Sequence, residues 1–544
     1  MKHSRLPILC SCILALGVIN APAQRPGSGA AKPRVVITAD PELDDNNTLI
    51  RAMLYTTDFN VEGFVYQEST FHWKGDGKGT TQYKPAWGAS RVKQCPTGCT
   101  SWRWPTPDHE AFIDQIVDAY ATAYKNLKVH NSSYPDPALL KSKIKWGNVD
   151  FEGDFSRDTD GSNLIKSLLL DNQPGPLYVT AQGGQSTTAR ALRSIYVQYH
   201  DKPEWPTIRD KVSHKLVIIP FGDQDGTYNS YIKPNWPGVD EWSLVMVEYG
   251  YGIRNALSPE NQTYISGAWT RANVLNQGPL GALYRVWQDG VVMDPTDTFG
   301  FSADKLKEMG RPAQEKDSFI SEGDTPTFLN LLDNGLRAQN GWWGGWGGIR
   351  REGGGPMLNI IPVTPVPPDD PGIAPGLAAA GVKNPNIPTE APAAAQSRPQ
   401  GQQRRAAPSP RAFALSNRMF VQSQNDFAAR LKWSITPNYK DANHEPRVAI
   451  KGPLDLTAKA GSTVRLQGET SDPDHNDVKV TWWQYNDAGT YRGDVQISNP
   501  SELKTTVQIP ADAKVGDTIH LILEGTDNGT PALTAYQRVV ITIN

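Results

Sequence analysis

The pattern of apolar and polar positions divides the chain into two regions. From about residue 34 to residue 351, short apolar runs alternate with stretches whose apolar positions recur at helical spacing. That alternation predicts βα units, and therefore an α/β domain with a mainly parallel open sheet and helices on both faces. We expect this domain to span residues 31–441. Its predicted strands include residues 61–66, 177–180 and 216–220, and its predicted helices include residues 111–127, 188–199 and 325–336.

The second region, residues 446–544, has a different pattern. Short alternating runs separated by turns rich in Asp and Asn predict an all-β immunoglobulin-like sandwich. The turns at residues 472–477 and 527–530 could bind calcium, but Asp and Asn are also ordinary turn formers, and we favour the plain turn. The predicted strands are residues 448–451, 463–468, 478–483, 505–509, 519–524 and 537–543.

Residues 1–23 have the pattern of a signal peptide. Basic residues precede an apolar run over residues 6–19, and small residues at positions 21 and 23 form a cleavage site. We therefore expect a secreted or periplasmic protein. The apolar run is too short to cross a membrane and no later run is longer, so the sequence predicts no membrane span. A lipid on Cys12 is the alternative, but the residues before it fit a lipoprotein signal poorly.

A segment rich in Pro, Ala and Gln, residues 361–412, interrupts the first region. Such a composition cannot bury enough apolar surface to fold, so we predict a disordered insertion. Residues 424–433 return to helical spacing. The insertion is therefore expected to lie within the α/β domain, which closes near residue 441.

Composition and charge exclude some functions. The 544 residues exceed the size at which single cores stop growing, about 250 to 300 residues, so more than one domain is expected. The net charge of -3 argues against nucleic acid as a partner. After removal of the signal peptide only Cys95 and Cys99 remain, on either side of a Pro-Thr-Gly turn. In an oxidising compartment this pair predicts a disulfide more simply than a zinc or catalytic site.

The strongest candidates for functional residues lie at the start of the first region. Residues 35–37 form an apolar, β-branched run, Asp40, Asp44 and Asp45 follow, and helical spacing then begins. Open sheets bind ligands at the carboxyl ends of their strands, and three close carboxylates repel unless a cation lies between them. Their oxygen atoms suit calcium or magnesium better than zinc. Helix capping by one carboxylate is the alternative, but it does not account for all three.

The residues from Asp40 to Asp45 resemble the DxDPGxDD signature of calcium-dependent nucleoside hydrolases, which cleave the N-glycosidic bond of ribonucleosides. The resemblance implies that Asp40 and Asp45 bind Ca²⁺, that Asp40 also accepts a proton from water, and that Asp44 contacts the sugar hydroxyls. The whole chain resembles the nucleoside hydrolase-like proteins described in bacteria as cellulose-binding, which add a C-terminal β-sandwich. These belong to the inosine-uridine-preferring nucleoside hydrolase-like superfamily.

Two later segments resemble further parts of that family's calcium site. Residues 176–192 resemble its strand, Gly-Gly turn and helix start, which implies that the backbone carbonyl of Gln182 is a metal ligand. The segment that begins at Gly323 resembles the family's late helix, which makes Asp324 the last protein ligand. Each segment has an ordinary alternative, a tight turn that needs glycine and an N-cap, respectively.

The chain also departs from the signature. Thr38 stands where the signature begins with Asp, and Glu42 replaces its Gly. Gly323 occupies the position where some nucleoside hydrolases have a His that protonates the departing base. A nucleobase is therefore not the expected leaving group.

Several residues are candidates for binding a sugar. The chain has 16 Trp, and Trp342, Trp343 and Trp346 lie in a Gly-rich loop where exposed rings could form a glycan subsite. The alternative is a loop whose tryptophans cover a helix end. By their order along the chain we add Thr70, His72, Trp73, Asp223 and Asn235 as substrate contacts, with His72 also a candidate acid.

The leading hypothesis from the sequence is a secreted, calcium-dependent hydrolase of glycosyl bonds that acts on a carbohydrate, with Asp40 and Asp44 as catalytic residues. The second is a non-catalytic protein that binds a polysaccharide or oligosaccharide, with cellulose as a candidate. A third is a surface scaffold in which calcium is structural. The sequence leaves the sugar, the general acid and the oligomeric state open.

Overall fold

The computed structural model describes residues 31–82, 98–245, 249–350 and 410–544. The predicted signal peptide, Cys95 and residues 361–409 of the predicted insertion lie outside the described residues. Within them, no helix is both long and apolar enough to cross a bilayer.

The first domain is built on a six-stranded sheet whose neighbouring strands are all parallel. The spatial order is β3-β2-β1-β4-β5-β6, so β1 is central and its carboxyl end lies between those of β2 and β4. The predicted α/β fold with a mainly parallel sheet is confirmed. The strands are β1 Arg34–Ala39, β2 Asn60–Tyr66, β3 Ile144–Trp146, β4 Leu177–Ala181, β5 Leu216–Pro220 and β6 Asp240–Glu241.

Helices cover both faces of this sheet. Alternate side chains of β1 enter separate cores, since Val35 and Ile37 belong to one hydrophobic cluster and Val36 to another. The predicted helix at residues 325–336 is wrong in extent, because only Pro326–Leu329 is helical. The main α-helices are Leu43–Leu54, Phe112–His130, Pro137–Ser142, Asp160–Leu170, Ser186–Tyr199, Trp205–Lys215, Tyr251–Ala256, Ala303–Glu308 and Pro410–Ile435. The shorter helical segments are Pro107–Glu110, Tyr228–Ile232, Lys233–Asn235, Pro259–Ile265, Gly267–Thr270, Arg271–Leu275, Gly278–Ala282, Ala338–Asn340 and Tyr439–Asp441.

The long helix Pro410–Ile435 packs against the first domain. Arg430 donates hydrogen bonds to the carbonyl of Leu54 at 2.8 Å and to Asp426 at 2.8 Å, and Arg51 donates to the carbonyl of Ser423 at 3.0 Å. These buried contacts fasten the helix to the end of Leu43–Leu54, whose start carries the acidic residues.

The C-terminal domain is a sandwich of two four-stranded sheets, as predicted. The sheets have the orders β10-β16-β15-β12 and β13-β14-β11-β9, and they enclose a core that includes Trp482, Leu523 and Val539. A separate small sheet pairs β7 Leu244–Val245 with β8 Ile349–Arg350. The sandwich strands are β9 Arg447–Ile450, β10 Asp455–Ala458, β11 Thr463–Ser471, β12 Val478–Gln484, β13 Gln496–Ser498, β14 Lys504–Gln508, β15 Thr518–Asp527 and β16 Thr534–Ile543.

One Asp-rich turn of the sandwich has ordinary turn geometry. The carboxylate of Asp472 accepts hydrogen bonds from the backbone N–H groups of Asp474 and Asn476, both at 2.9 Å. In the described part of the chain, the acidic groups close enough to share a cation lie beyond β1 instead.

Candidate metal and sugar site

The site begins where β1 ends and the helix Leu43–Leu54 starts. Asp40 and Asp45 are buried, and the Oδ1 atom of Asp45 accepts a hydrogen bond from the backbone N–H of Asp40 at 3.0 Å. Asp44 is half-buried and accepts a hydrogen bond from the hydroxyl of Ser321 at 3.3 Å. The turn therefore holds three carboxylates at the carboxyl end of the central strand.

Asp40 has one fixed oxygen and one without a partner. Its Oδ2 atom accepts a hydrogen bond from Ser69 Oγ at 2.6 Å and lies 3.0 Å from His72 Nδ1. Its Oδ1 atom is buried and has no hydrogen-bond partner among the described residues. Because a buried carboxylate oxygen without a partner is costly, this atom has a place for a further ligand.

His72 lies beneath the cluster and not on the surface of a loop. It is 1% exposed, and its Nε2 atom lies 3.8 Å from Asp294 while Nδ1 faces Asp40 and Glu42. Burial alone would lower the pKa of His72, but the carboxylates of Asp294 and Asp40 raise it to about 9. Both ring nitrogens face carboxylates, so His72 orients Asp40 and is not placed to protonate a leaving group.

Asp324 enters the cluster from a distant part of the chain. It is buried, and its Oδ1 atom has no hydrogen-bond partner in the described residues. Burial and the carboxylates of Asp44 and Asp40 raise the pKa of Asp324 well above its usual value. Its turn is held by Glu322, which forms a buried ion pair with Arg51 at 2.5 Å.

The electrostatics of the cluster fit a bound cation. The pKa of Asp45 is raised well above its usual value by burial and then by the carboxylates of Asp40 and Asp324. Asp40, Glu42 and His72 offer ligand atoms within 4.8 Å of one another, and so do Glu42, Asp44 and Asp45. Glu42 belongs to both groups, although the sequence comparison treated it only as a departure from the signature. A cation among these oxygens would relieve the carboxylate repulsion that helps to raise the pKa of Asp45.

Gln182 lies next to Asp40, directly after β4. Its backbone N–H donates to the carbonyl of Thr38 at 2.9 Å, and its own carbonyl accepts a hydrogen bond from the side-chain amide of Gln224. A carbonyl oxygen has two lone pairs, so one remains for a metal. A Cβ at Gly183 would lie 3.0 Å from the Asp40 Cβ, which explains the glycine in this turn.

The space around position 323 favours a glycine there. A Cβ at this position would lie 2.7 Å from Asp44 Oδ2 and 3.6 Å from the ring of Phe221. A side chain here would displace the Asp44 carboxylate, and glycine itself supplies no acid at this position.

The residues that follow β5 have structural partners. Both carboxylate oxygens of Asp223 accept hydrogen bonds from the backbone N–H groups of Tyr228 and Asn229, at 3.1 and 3.0 Å. Burial and the charge of Asp225 raise the pKa of Asp223 to about 7. Asn235 donates to the carbonyl of Tyr231 at 2.8 Å. The oxygens of Asp223 thus have partners in the local backbone, and its contact with a sugar stays a prediction.

The loop after β2 places two other candidates in the interior. Thr70 is buried, and its backbone N–H donates to the carbonyl of Gln224 at 3.0 Å. Trp73 is completely buried in a small cluster with Trp102 and Phe151. The predicted role of Trp73 is therefore wrong, since its ring faces are covered by protein.

The expected strip of exposed tryptophans is also wrong. Trp346 is 3% exposed and donates a hydrogen bond from Nε1 to the hydroxyl of Tyr536 in the sandwich at 3.0 Å. Trp343 is half-buried and packs edge-on against His520. Only Trp342 is exposed, at 44%, and the guanidinium of Arg350 lies 4.5 Å from its ring. The loop joins the two domains.

The structure describes only one of the two cysteines of the predicted disulfide. Cys99 is disulfide-bonded, and the partner expected for it, Cys95, lies outside the described residues.

Sequence reasoning did not find three residues that build the site. Ser69 follows β2 within the pattern that suggested Thr70, whereas Asp294 and Glu322 have no local signal. Burial alone would raise the pKa of Asp294, but its interaction with His72 lowers it to about 2. Only the fold brings these carboxylates to the acidic cluster.

A central parallel strand followed by a cluster of carboxylates, with a further carboxylate from a late turn, is the arrangement of a nucleoside hydrolase-like protein. Residues 34–349 match the family model described as cellulose-binding Sde182, nucleoside hydrolase-like domain. Residues 463–543 match the model of the cellulose-binding protein Sde0182, C-terminal domain. The chain belongs to this family, and the resemblance noted from the sequence is confirmed.

One similar solved structure covers nearly the whole chain. It is a nucleoside hydrolase-related hypothetical protein from Saccharophagus degradans that is associated with carbohydrate metabolism, with 25% identity and a TM-score of 0.63 over 94% of this chain and 100% of that one. Domains of the bacteriophage RB49 Hoc protein match 18% of this chain and 30% of that one at 12% identity, with a TM-score of 0.13. Murine CRIg matches 19% of this chain and 98% of that one at 15% identity, with a TM-score of 0.14. The last two scores are too low to carry an argument. No curated protein matches the chain.

Proposed function

We propose that this protein is a calcium-dependent hydrolase of glycosyl bonds that acts on a carbohydrate. The observation that carries the proposal is the state of Asp40, which is buried with one oxygen fixed by Ser69 and His72 and the other without a partner. A carboxylate in this state has an oxygen available to bind a cation and to accept a proton from water. Family membership supports an association with carbohydrate.

Asp40, Asp45, Asp324 and the carbonyl of Gln182 would hold the calcium ion. When bound, calcium would supply a water molecule of lowered pKa. Asp40 accepts the proton of the attacking water, while His72 keeps the Asp40 carboxylate in one orientation. Asp44, at the more open side of the cluster, hydrogen-bonds the sugar hydroxyls next to the anomeric carbon.

The geometry near Gly323 places no acid beside a departing nucleobase. A side chain at Gly323 would have to displace the Asp44 carboxylate, and both ring nitrogens of His72 face carboxylates. Any leaving group would then take its proton from solvent, and a sugar oxygen needs that proton at least as much as a nucleobase does, so the choice of a carbohydrate rests on the family's cellulose-binding description. The half-buried ring of Phe221, 3.6 Å from the Cβ position of Gly323, offers an apolar wall for a sugar ring.

A second candidate function is non-catalytic binding of a polysaccharide such as cellulose. The absence of an acid at Gly323 favours it, as does the cellulose-binding description of both matching family models. On either candidate the mature chain is expected to act outside the cytoplasm, secreted or in the periplasm.

The test is release of reducing sugar from a panel of plant polysaccharides by the calcium-loaded protein. Wild type should release sugar, and Asp40→Asn should lose at least about 100-fold in rate while retaining calcium, because an amide binds metal through oxygen but cannot accept the proton. Inosine and uridine should release negligible base. Retention on cellulose without any sugar release would establish the second candidate. Rapid cleavage of a free nucleoside would refute the choice of a carbohydrate.

A further inference from the structure

The two domains line an open cleft that is separate from the acidic cluster. It has a volume of about 730 Å³, within the range of about 300 to 1,000 Å³ usual for small-molecule sites. Three elements form it: residues 255–261, one face of the helix Pro410–Ile435, and the β15–β16 end of the sandwich. None of its lining residues belongs to the group that surrounds Asp40.

The walls of this cleft are fixed by hydrogen bonds. Asn417 donates to the carbonyl of Ala256 at 2.5 Å and accepts from Asn261 at 3.0 Å. On the sandwich side, Arg418 and Gln422 both donate to Glu524, at 2.6 and 3.0 Å. The cleft is therefore preorganised and depends on the docking of both domains.

The chemistry of the lining fits a neutral, hydroxyl-rich ligand. Its polar groups are mainly side-chain amides and hydroxyls, and the charge of Arg418 is compensated by Glu524. Within the described chain, the amides of Asn255 and Asn425 make no hydrogen bond, and they lie on different elements that line the cleft. An amide offers both a donor and an acceptor, which matches the paired donor and acceptor of a sugar hydroxyl. Leu257, Val421 and Ala532 supply apolar surface.

We infer that this interdomain cleft is a binding site for a neutral oligosaccharide. The site goes beyond the proposed hydrolysis, because it uses neither the carboxylates nor a metal. It gives the C-terminal sandwich a part in holding the glycan. Acidic oligosaccharides should bind less well, because the uncompensated charge on the lining, Glu260, is negative.

The experiment is calorimetric titration of the full-length protein with cellohexaose, xylohexaose and mannohexaose in the presence of a calcium chelator. At least one of these should bind wild type, and an oligogalacturonate of the same length should bind more weakly. The double variant Asn255→Ala/Asn425→Ala should weaken the affinity at least tenfold. Ala532→Trp should abolish binding by filling the cleft. Unchanged melting temperatures would show that both variants fold.

Two controls separate this inference from the proposed function. Gln198→Ala removes an exposed amide from another helix and should leave the affinity unchanged. Asp45→Asn, which alters the acidic cluster, should also retain oligosaccharide binding even if no hydrolysis is ever detected. Failure of all three neutral oligosaccharides to bind, or undiminished affinity in both cleft variants, would overturn the inference.

Discussion

We predict that Asp45→Asn stabilises the protein when calcium is absent and destabilises it when calcium is bound. Burial raises the pKa of Asp45, and repulsion from the carboxylates of Asp40, Asp324, Asp44 and Glu42 raises it further. Asp45→Asn removes one charge from this cluster, and the amide oxygen can still accept the hydrogen bond from the Asp40 N–H. In chelator the variant should therefore melt at a higher temperature than wild type. With calcium present the order should reverse, because a ligand is weakened.

The size of the calcium effect follows from ligand binding to the native state. At 100 times the dissociation constant, binding stabilises by about 2.7 kcal/mol. For roughly 400 residues unfolding together, the entropy of unfolding is about 0.8 kcal/mol/K, so the wild-type melting temperature should rise by about 3 °C. Asp45→Asn should show less than half of that rise at the same calcium concentration.

The assay is thermal unfolding of wild type and variant in chelator and over a calcium titration. Asp201→Asn, at an exposed turn, is the matched control and should retain the full response. A wild-type melting temperature that does not respond to calcium would refute the site. A variant destabilised equally with and without calcium would show that Asp45 is only structural.

Three further predictions concern other parts of the molecule. Gly323→Ala would place a Cβ 2.7 Å from Asp44 Oδ2; displacement of that carboxylate by several tenths of an ångström should slow sugar release about tenfold while the calcium-dependent melting shift persists. Trp346→Ala should cost about 3 to 5 kcal/mol in urea unfolding because the ring is buried, whereas the exposed Trp342→Ala should cost little. Burial lowers the pKa of His130 to about 4, so the unfolded chain binds more protons between about pH 4 and 6.5 and stability should decline as the pH falls through that window. His130→Phe should reduce that decline in urea titrations at successive pH values, and an identical decline would exclude His130 as its source.

The local periodicity of apolar positions was sufficient to predict the architecture of both domains. Alternation of apolar runs and helical spacing predicted the parallel sheet, and period-two alternation predicted the sandwich, because each pattern reflects a face that must be buried. The same rule failed at residues 325–336. The apolar side chains of Phe328, Leu331 and Leu332 are buried in the main core, but only one short helical turn forms there. Burial does not require a helix, so spacing alone cannot distinguish the two.

The sequence by itself determined the acidic turn after β1, because Asp40, Asp44 and Asp45 are close in the chain and a strand-to-helix turn keeps them close in space. Tertiary structure alone decided what surrounds them. Asp294 pairs with His72, and Glu322 with Arg51, across more than 200 positions of sequence. Tertiary structure also decided that Trp346 is buried, because its hydrogen-bond partner Tyr536 lies 190 residues away in the sequence. Sequence separation carries no information about such pairs, because they form only where independently predicted elements pack together.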